Sequence, residues 1–295
     1  MDATTSTGVD GEATIDSATR LGHVELTVAE LDREVAFYCD ILGFRVQDHT
    51  DGTVSLGAGG SDLLRLTERR NAARVPGTTG LSHVAILISR RVDFARLFQR
   101  VVETATPVQD LQDHHTHEAI YVIDPEGNGV ELAWDYPRDQ RPTFEEMIRL
   151  GSARLDVEGL VAELPSDGTP WVGLPTDTAI GHVFLHVADL AAADAFYHGV
   201  LGFDIVGAIA GDAEFVSAGG YHHHIAFNLG AGVGAPPPPP GSLGLDHFTI
   251  VVPNGAELNR VLGRVRDAGR AVEETPAGHL IRDPSGNGVL LTTEA

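Results

Sequence analysis

Apolar and polar positions alternate from Leu21 to Val28, so Val24, Leu26 and Val28 share one face of an extended strand and His23, Glu25 and Thr27 the other. From Leu31 to Leu42 the apolar spacing becomes helical, and Gly43 follows as a C-cap. Short strands are predicted next at Phe44–Gln47, Thr53–Leu56 and Leu63–Thr67, the last after a turn at Gly59 and Gly60. The order then restarts: strand Leu81–Ile88, helix Val92–Thr104, a strand near Val108, strand Glu118–Ile123, a turn through Asp124–Gly129, and strand Val130–Trp134. The same βαβββ unit is traversed twice.

The rest of the chain repeats both units. Gly22-His23-Val24 returns as Gly181-His182-Val183, Ala36-Phe37-Tyr38 as Ala195-Phe196-Tyr197, and Leu42-Gly43-Phe44 as Leu201-Gly202-Phe203. Asp124-Pro125-Glu126-Gly127-Asn128-Gly129-Val130 returns as Asp283-Pro284-Ser285-Gly286-Asn287-Gly288-Val289, and the offset is always 159 residues. The expected fold is therefore α+β, with four βαβββ units paired within each half into two tandem domains, 19–136 and 178–295. Between them, 137–177 reads as a linker with helical patches at Thr143–Leu150 and Val157–Leu164. Residues 1–18 read as a disordered acidic tail without the apolar stretch of a signal peptide. Pro236–Pro240 is a stiff polyproline spacer between the third and fourth units.

Charge narrows the function classes. Of 295 residues, 42 are acidic and 20 basic, every basic one is Arg, and the formal charge is −22. So negative a field argues against nucleic acid and anionic membranes as partners. No apolar run approaches the roughly 20 residues of a membrane span. The single cysteine, Cys39, excludes an intrachain disulfide, fits a reducing cytoplasm, and reads as a thiol buried on the helix beside Tyr38.

The candidate chemistry lies in the histidines. His23 and His83 occupy matching places in the first strands of units one and two, and an approximate twofold between those units would turn both imidazoles into one cavity. Glu131 interrupts the apolar run Val130, Leu132, Ala133, Trp134 just beyond the Gly/Asn turn. Two imidazoles and one carboxylate on rigid strands form the facial arrangement of non-haem Fe(II) oxygenases, which leaves three neighbouring positions for substrate and dioxygen.

These motifs, together with Ser82-His83-Val84 and Tyr121-x-x-Asp124-Pro125-x-Gly127-Asn128-x-x-Glu131, resemble the vicinal oxygen chelate superfamily and, within it, the two-domain catechol 2,3-dioxygenases. The resemblance spans roughly Leu21 to Leu291. It implies a metal triad of His23, His83 and Glu131, with Fe(II), or alternatively Mn(II), as the ion. It also implies a small aromatic diol and dioxygen as substrates, Tyr121 hydrogen-bonding the bound diol, and His114 shuttling its proton. A homo-oligomer is expected. Glyoxalase-like lyase or isomerase chemistry, and sequestration of a small molecule or metal without turnover, are the alternatives.

One feature of the resemblance is missing. Many extradiol enzymes carry a further catalytic histidine at the end of the metal domain's first unit, where this chain reads Ser61-Asp62-Leu63-Leu64-Arg65-Leu66-Thr67. Arg65 there reads as a surface residue, or as one orienting an anion. In the second half, His182 and His247 repeat the histidine pair, but Leu290 and Leu280 replace the carboxylate and the tyrosine. Tyr221-His222-His223-His224 could join His182 and His247, with His186 nearby, in a second, zinc-type site. Abundant carboxylate without lysine suggests adaptation to high intracellular salt, where screening relieves self-repulsion. The melting temperature is expected to rise from low salt to molar KCl, and an unchanged value would contradict that adaptation.

Overall fold

The computed structural model describes residues 14–166 and 171–293. The first unit comprises β1 (Arg20–Val28), α1 (Leu31–Ala36, continued by a π-turn over Phe37–Ile41), β2 (Arg45–Thr50), β3 (Thr53–Gly57) and β4 (Asp62–Glu68). The second comprises β5 (Gly80–Leu87), α2 (Arg91–Glu103), β6 (Val108–Asp113), β7 (His117–Ile123) and β8 (Gly129–Asp135). The connector carries α3 (Phe144–Leu150), the short strand β9 (Ala153–Arg154) and α4 (Val157–Ala162). The third unit is β10 (Ala179–His186), α5 (Leu190–Asp194), β11 (Asp204–Ile209), β12 (Ala213–Ser217) and β13 (Ile225–Asn228). The fourth is β14 (Gly244–Val252), α6 (Gly255–Asp267), β15 (Glu273–Thr275), β16 (Gly278–Arg282) and β17 (Gly288–Thr293).

The predicted units form, but they pair differently from expectation. One sheet runs β15-β16-β17-β14-β1-β4-β3-β2 and the other β11-β12-β13-β10-β5-β8-β7-β6-β9. Unit one therefore joins unit four, and unit two joins unit three, through antiparallel seams at β1–β14 and β5–β10. Pairing within each half is overturned. Units one and three share a first-strand pattern, so either can complete a sheet with unit two, and the pattern alone does not choose between them.

The chain crosses between sheets at matching places. Segments 69–79 and 229–243 make the two crossings and lie against each other: Leu243 N–H donates to the Ala73 carbonyl (3.2 Å) and Thr79 N–H to that of Pro236 (3.0 Å). The proline run thus stiffens a crossing. Two arms also cross. Ile15 N–H donates to the Gly202 carbonyl at 2.7 Å, and Leu174 N–H, 159 residues later, to that of Gly43 at 2.9 Å. Residues 14–18, expected in the disordered tail, are thus described, with Ile15 buried, while 1–13 lie outside the described residues.

The recurring motifs are largely structural. Asp124 Oδ1 accepts from the backbone N–H of Glu126 and Asn128, and its Oδ2 from Asn128 Nδ2 (2.7 Å) and the buried Tyr38 hydroxyl (3.0 Å). Asp283 and Tyr197 repeat the last contact at 3.0 Å. A Cβ on Gly129 would stand 2.9 Å from His83 Cβ, so only glycine lets β8 run this close to β5. Along β5, β7, β8 and β10 one face is apolar and fully buried (Val84, Ile86, Ile120, Val130, Leu132, Val183, Leu185). The opposite face carries the polar series His83, His117, Tyr121, Glu131 and His182, with Tyr121 opposite Glu131 and His182 opposite Ala85.

Residues 14–136 expressed alone leave β1 and β5 with open edges where β14 and β10 belong. That fragment is expected to self-associate or aggregate on size-exclusion chromatography. A folded monomer with a cooperative melt would show instead that each half completes its own sheet.

Candidate metal centre

Four neighbouring strands present one row of side chains: His182 on β10 stands opposite Ala85 on β5, Ala85 beside Glu131 on β8, and Glu131 opposite Tyr121 on β7. The small Ala85 leaves room above the sheet, and His83, two residues earlier on the same face, fills that room from the side. His83 Nε2 lies 3.0 Å from Glu131 Oε2 and His182 Nε2 lies 3.1 Å from the same oxygen, while the two nitrogens are 3.3 Å apart. Three donors held at right angles on one cation with bonds of about 2.1 Å would be spaced by about 3 Å, so this set fits a divalent metal. Glu131 is fully buried, its Oε1 stands 2.9 Å from His117 Nε2, and that oxygen has no other partner among the described residues. Burial alone would raise the Glu131 pKa, but the imidazoles of His182 and His117 outweigh it and hold the carboxyl well below its usual range.

Two hydrogen-bonded chains line the walls. The Tyr121 hydroxyl is 2.9 Å from His114 Nε2, and His114 Nδ1 is 3.0 Å from Ser152 Oγ. Burial, then the charge of Glu131, pushes the Tyr121 hydroxyl well above its ordinary pKa, so it stays protonated. Burial, then His117, lowers the His114 pKa to about 4, so it is neutral at pH 7. On the other wall His222 Nε2 lies 3.0 Å from Asp135 Oδ1, and His222 Nδ1 lies 2.9 Å from His223 Nδ1. His222 stacks on His117, with centroids 5.0 Å apart, and His223 leans on His182 at 4.2 Å. Together these groups bound a cavity of about 570 Å³, within the usual range for small-molecule sites. Phe184 and Phe215 supply apolar wall, and the connector adds Phe144, Met147, Ile148 and Ser152.

The sequence matches the Glyoxalase/Bleomycin resistance protein/Dioxygenase superfamily over residues 20–132 and again over 179–291. The chain belongs to this superfamily. It is 42% identical over 276 residues to a catechol-2,3-dioxygenase of Bacillus subtilis (strain 168), covering 92% of this chain and 95% of that protein. It is 30% identical over 134 residues to the 3-methylcatechol 2,3-dioxygenase of Pseudomonas putida F1, covering 43% of this chain and 45% of the relative. The solved glyoxalase I of Zea mays shares the fold, with a TM-score of 0.55, 16% identity, and coverage of 93% of this chain and 92% of that one.

Within the superfamily's repeated fold, the structure brings together His83, Glu131, Tyr121 and His114, and separates His23 from them. His23 lies on β1 in the other sheet, in a group with Glu25 and His247. Its expected place is taken by His182, its counterpart 159 residues on, because β5 pairs with β10. The same swap brings a different segment to this cavity in place of Ser61–Thr67. The corresponding segment of unit three is Gly220–Ala226, and His222 and His223 from it line the cavity. The zinc-type group that His182, His222, His224 and His247 could have formed does not assemble, since His247 sits in the other sheet. His117, which the sequence motifs do not single out, is buried against Glu131. Its signal was the parity it shares with Tyr121 along β7.

Several histidines are neutral in the fold because burial holds their pKa down: to about 4 for His23, His114 and His224 and about 3 for His222. The unfolded chain takes up these protons near pH 6.5. The stability they contribute is therefore complete above that pH and lost as pH falls toward 4, at up to about 1.4 kcal/mol per pH unit for each group. The melting temperature of metal-stripped protein is expected to fall steeply between pH 7 and 5. A flat profile would contradict neutral burial.

Proposed function

We propose that this chain is a metal-dependent extradiol dioxygenase that opens a catechol-type ring with dioxygen. The observation that carries the reading is the triangle of His83, Glu131 and His182 at 3.0–3.3 Å on the floor of a cavity that also holds Tyr121 and His114. The superfamily membership and the 42% identity to a catechol-2,3-dioxygenase support it. His83, His182 and Glu131 would hold the ion, Fe(II) on this reading and Mn(II) as the alternative. When bound, the ion supplies a common meeting point for both diol oxygens and dioxygen, and electron exchange between them.

The chain's own groups bind, orient and move protons. Phe184, Phe215 and Ile148 give the aromatic ring an apolar wall. The protonated Tyr121 hydroxyl is placed to hydrogen-bond a diol oxygen, and His114 behind it, leading to Ser152, offers a route for a proton toward the cavity rim. Burial would raise the Asp135 pKa, but His222 and Arg141 hold it below its ordinary range, so its carboxylate accepts from His222 Nε2–H. His222 Nδ1 is then an acceptor and takes the His223 Nδ1–H, leaving His223 Nε2 with a free lone pair. Burial, then the neighbouring His182 and His222, holds the His223 pKa well below its ordinary value, so it meets a diol hydroxyl as a neutral hydrogen-bond acceptor.

The test is oxygen uptake on catechol and bound iron after anaerobic reconstitution. His182→Ala should lose both, with uptake down by more than about 100-fold. Tyr121→Phe should keep the iron and lower kcat by about 100-fold. Wild-type iron and uptake in His182→Ala would place the centre elsewhere, and no uptake by the wild type with any of several catechols would refute the activity.

A further inference from the structure

The sheet formed by units one and four is the structural counterpart of the one that holds the candidate centre. His23 stands where the other sheet has His182, and His247 where it has His83. The carboxylate position is lost, since Leu290 replaces Glu131. A different carboxylate has arrived. Glu25 occupies the position that Phe184 holds in the other sheet, on the same strand face as His23 and directly opposite His247 in register. The ligand-type atoms of His23, Glu25 and His247 all lie within 4.8 Å of one another.

We propose that His23, Glu25 and His247 form a second divalent-metal site, suited to zinc and independent of the first. His247 Nδ1 lies 2.8 Å from Asp246 Oδ2, so Nδ1 carries the donated proton and Nε2 the lone pair. That Nε2 is buried and has no hydrogen-bond partner among the described residues, and it faces Glu25 Oε2 at 3.9 Å. Glu25 Oε1 accepts from Thr67 Oγ1 at 2.9 Å, which leaves Oε2 directed at the histidine. A lone pair and a carboxylate oxygen directed at each other with no proton between them repel, and a cation between them removes the repulsion. Two of the three ligands, His247 and Glu25, are thus held from behind, by Asp246 and Thr67, as metal ligands commonly are, while the His23 ring lies 3.4 Å from Thr249 Oγ1. Arg65, next to Glu25 in register, is held by Asp62 at 3.0 Å, so its charge is already matched. The Glu25 side chain is 20% exposed and that of His247 11%, which gives an ion access from solvent. Two imidazoles, one carboxylate and an open side suit Zn²⁺.

The experiment is metal per chain, by mass spectrometry after gel filtration, on protein already carrying its first ion and equilibrated with zinc. Wild type should hold two ions and Glu25→Gln one, the ion it retains at His83, Glu131 and His182 reporting that the variant is folded. Thr67→Val, which removes no ligand, should weaken zinc binding at the second site by about 10-fold in a competition titration. One ion per wild-type chain, two ions in Glu25→Gln, or unchanged zinc affinity in Thr67→Val would each overturn the proposal.

Discussion

The candidate centre depends on one seam, the antiparallel pairing of β5 with β10. That ladder sets His182 opposite Ala85, and Ala85 in turn stands beside Glu131. A one-residue slip would turn His182 to the apolar face and bury Val183 among the ligands. The Asp124–Asn128 turn sets where β8 begins, and Gly129 allows it to approach β5 closely. The recurring motifs are thus mostly devices for holding register. Few of their residues touch the cavity.

Because the seam joins the second unit to the third, the candidate centre takes ligands from both halves of the duplication. The crossing segments and the exchanged arms at Ile15 and Leu174 bind the halves together, while the tyrosine–aspartate bonds at Tyr38 and Tyr197 tie the two sheets to each other within each half. The two sheets differ at matching positions. One has Glu131 and Tyr121, with His222 and His223 beside them. The other has Leu290 and Leu280 at the equivalent places, but carries Glu25 beside its histidine pair.

Much of this was legible in the sequence. Strand alternation and the 159-residue offset gave the four βαβββ units, and the break at Glu131 in an apolar run marked a carboxylate held in the sheet. Tyr121 and His114 come from the family resemblance, and they meet at 2.9 Å. His182 was misplaced because His23 and His182 sit in near-identical local sequence. Which of them faces His83 is decided by long-range pairing, to which neither pattern nor propensity speaks. The connector was underestimated for a related reason: Phe144 and Ile148 look like surface helix residues until the cavity they cover is present.

The most direct test of a centre shared between the halves is anomalous X-ray scattering at the iron edge from crystals grown anaerobically with Fe(II). The account predicts a strong peak bounded by His83, Glu131 and His182. A peak at His83 and Glu131 with His182 turned away, or the only iron peak beside His23, would contradict it.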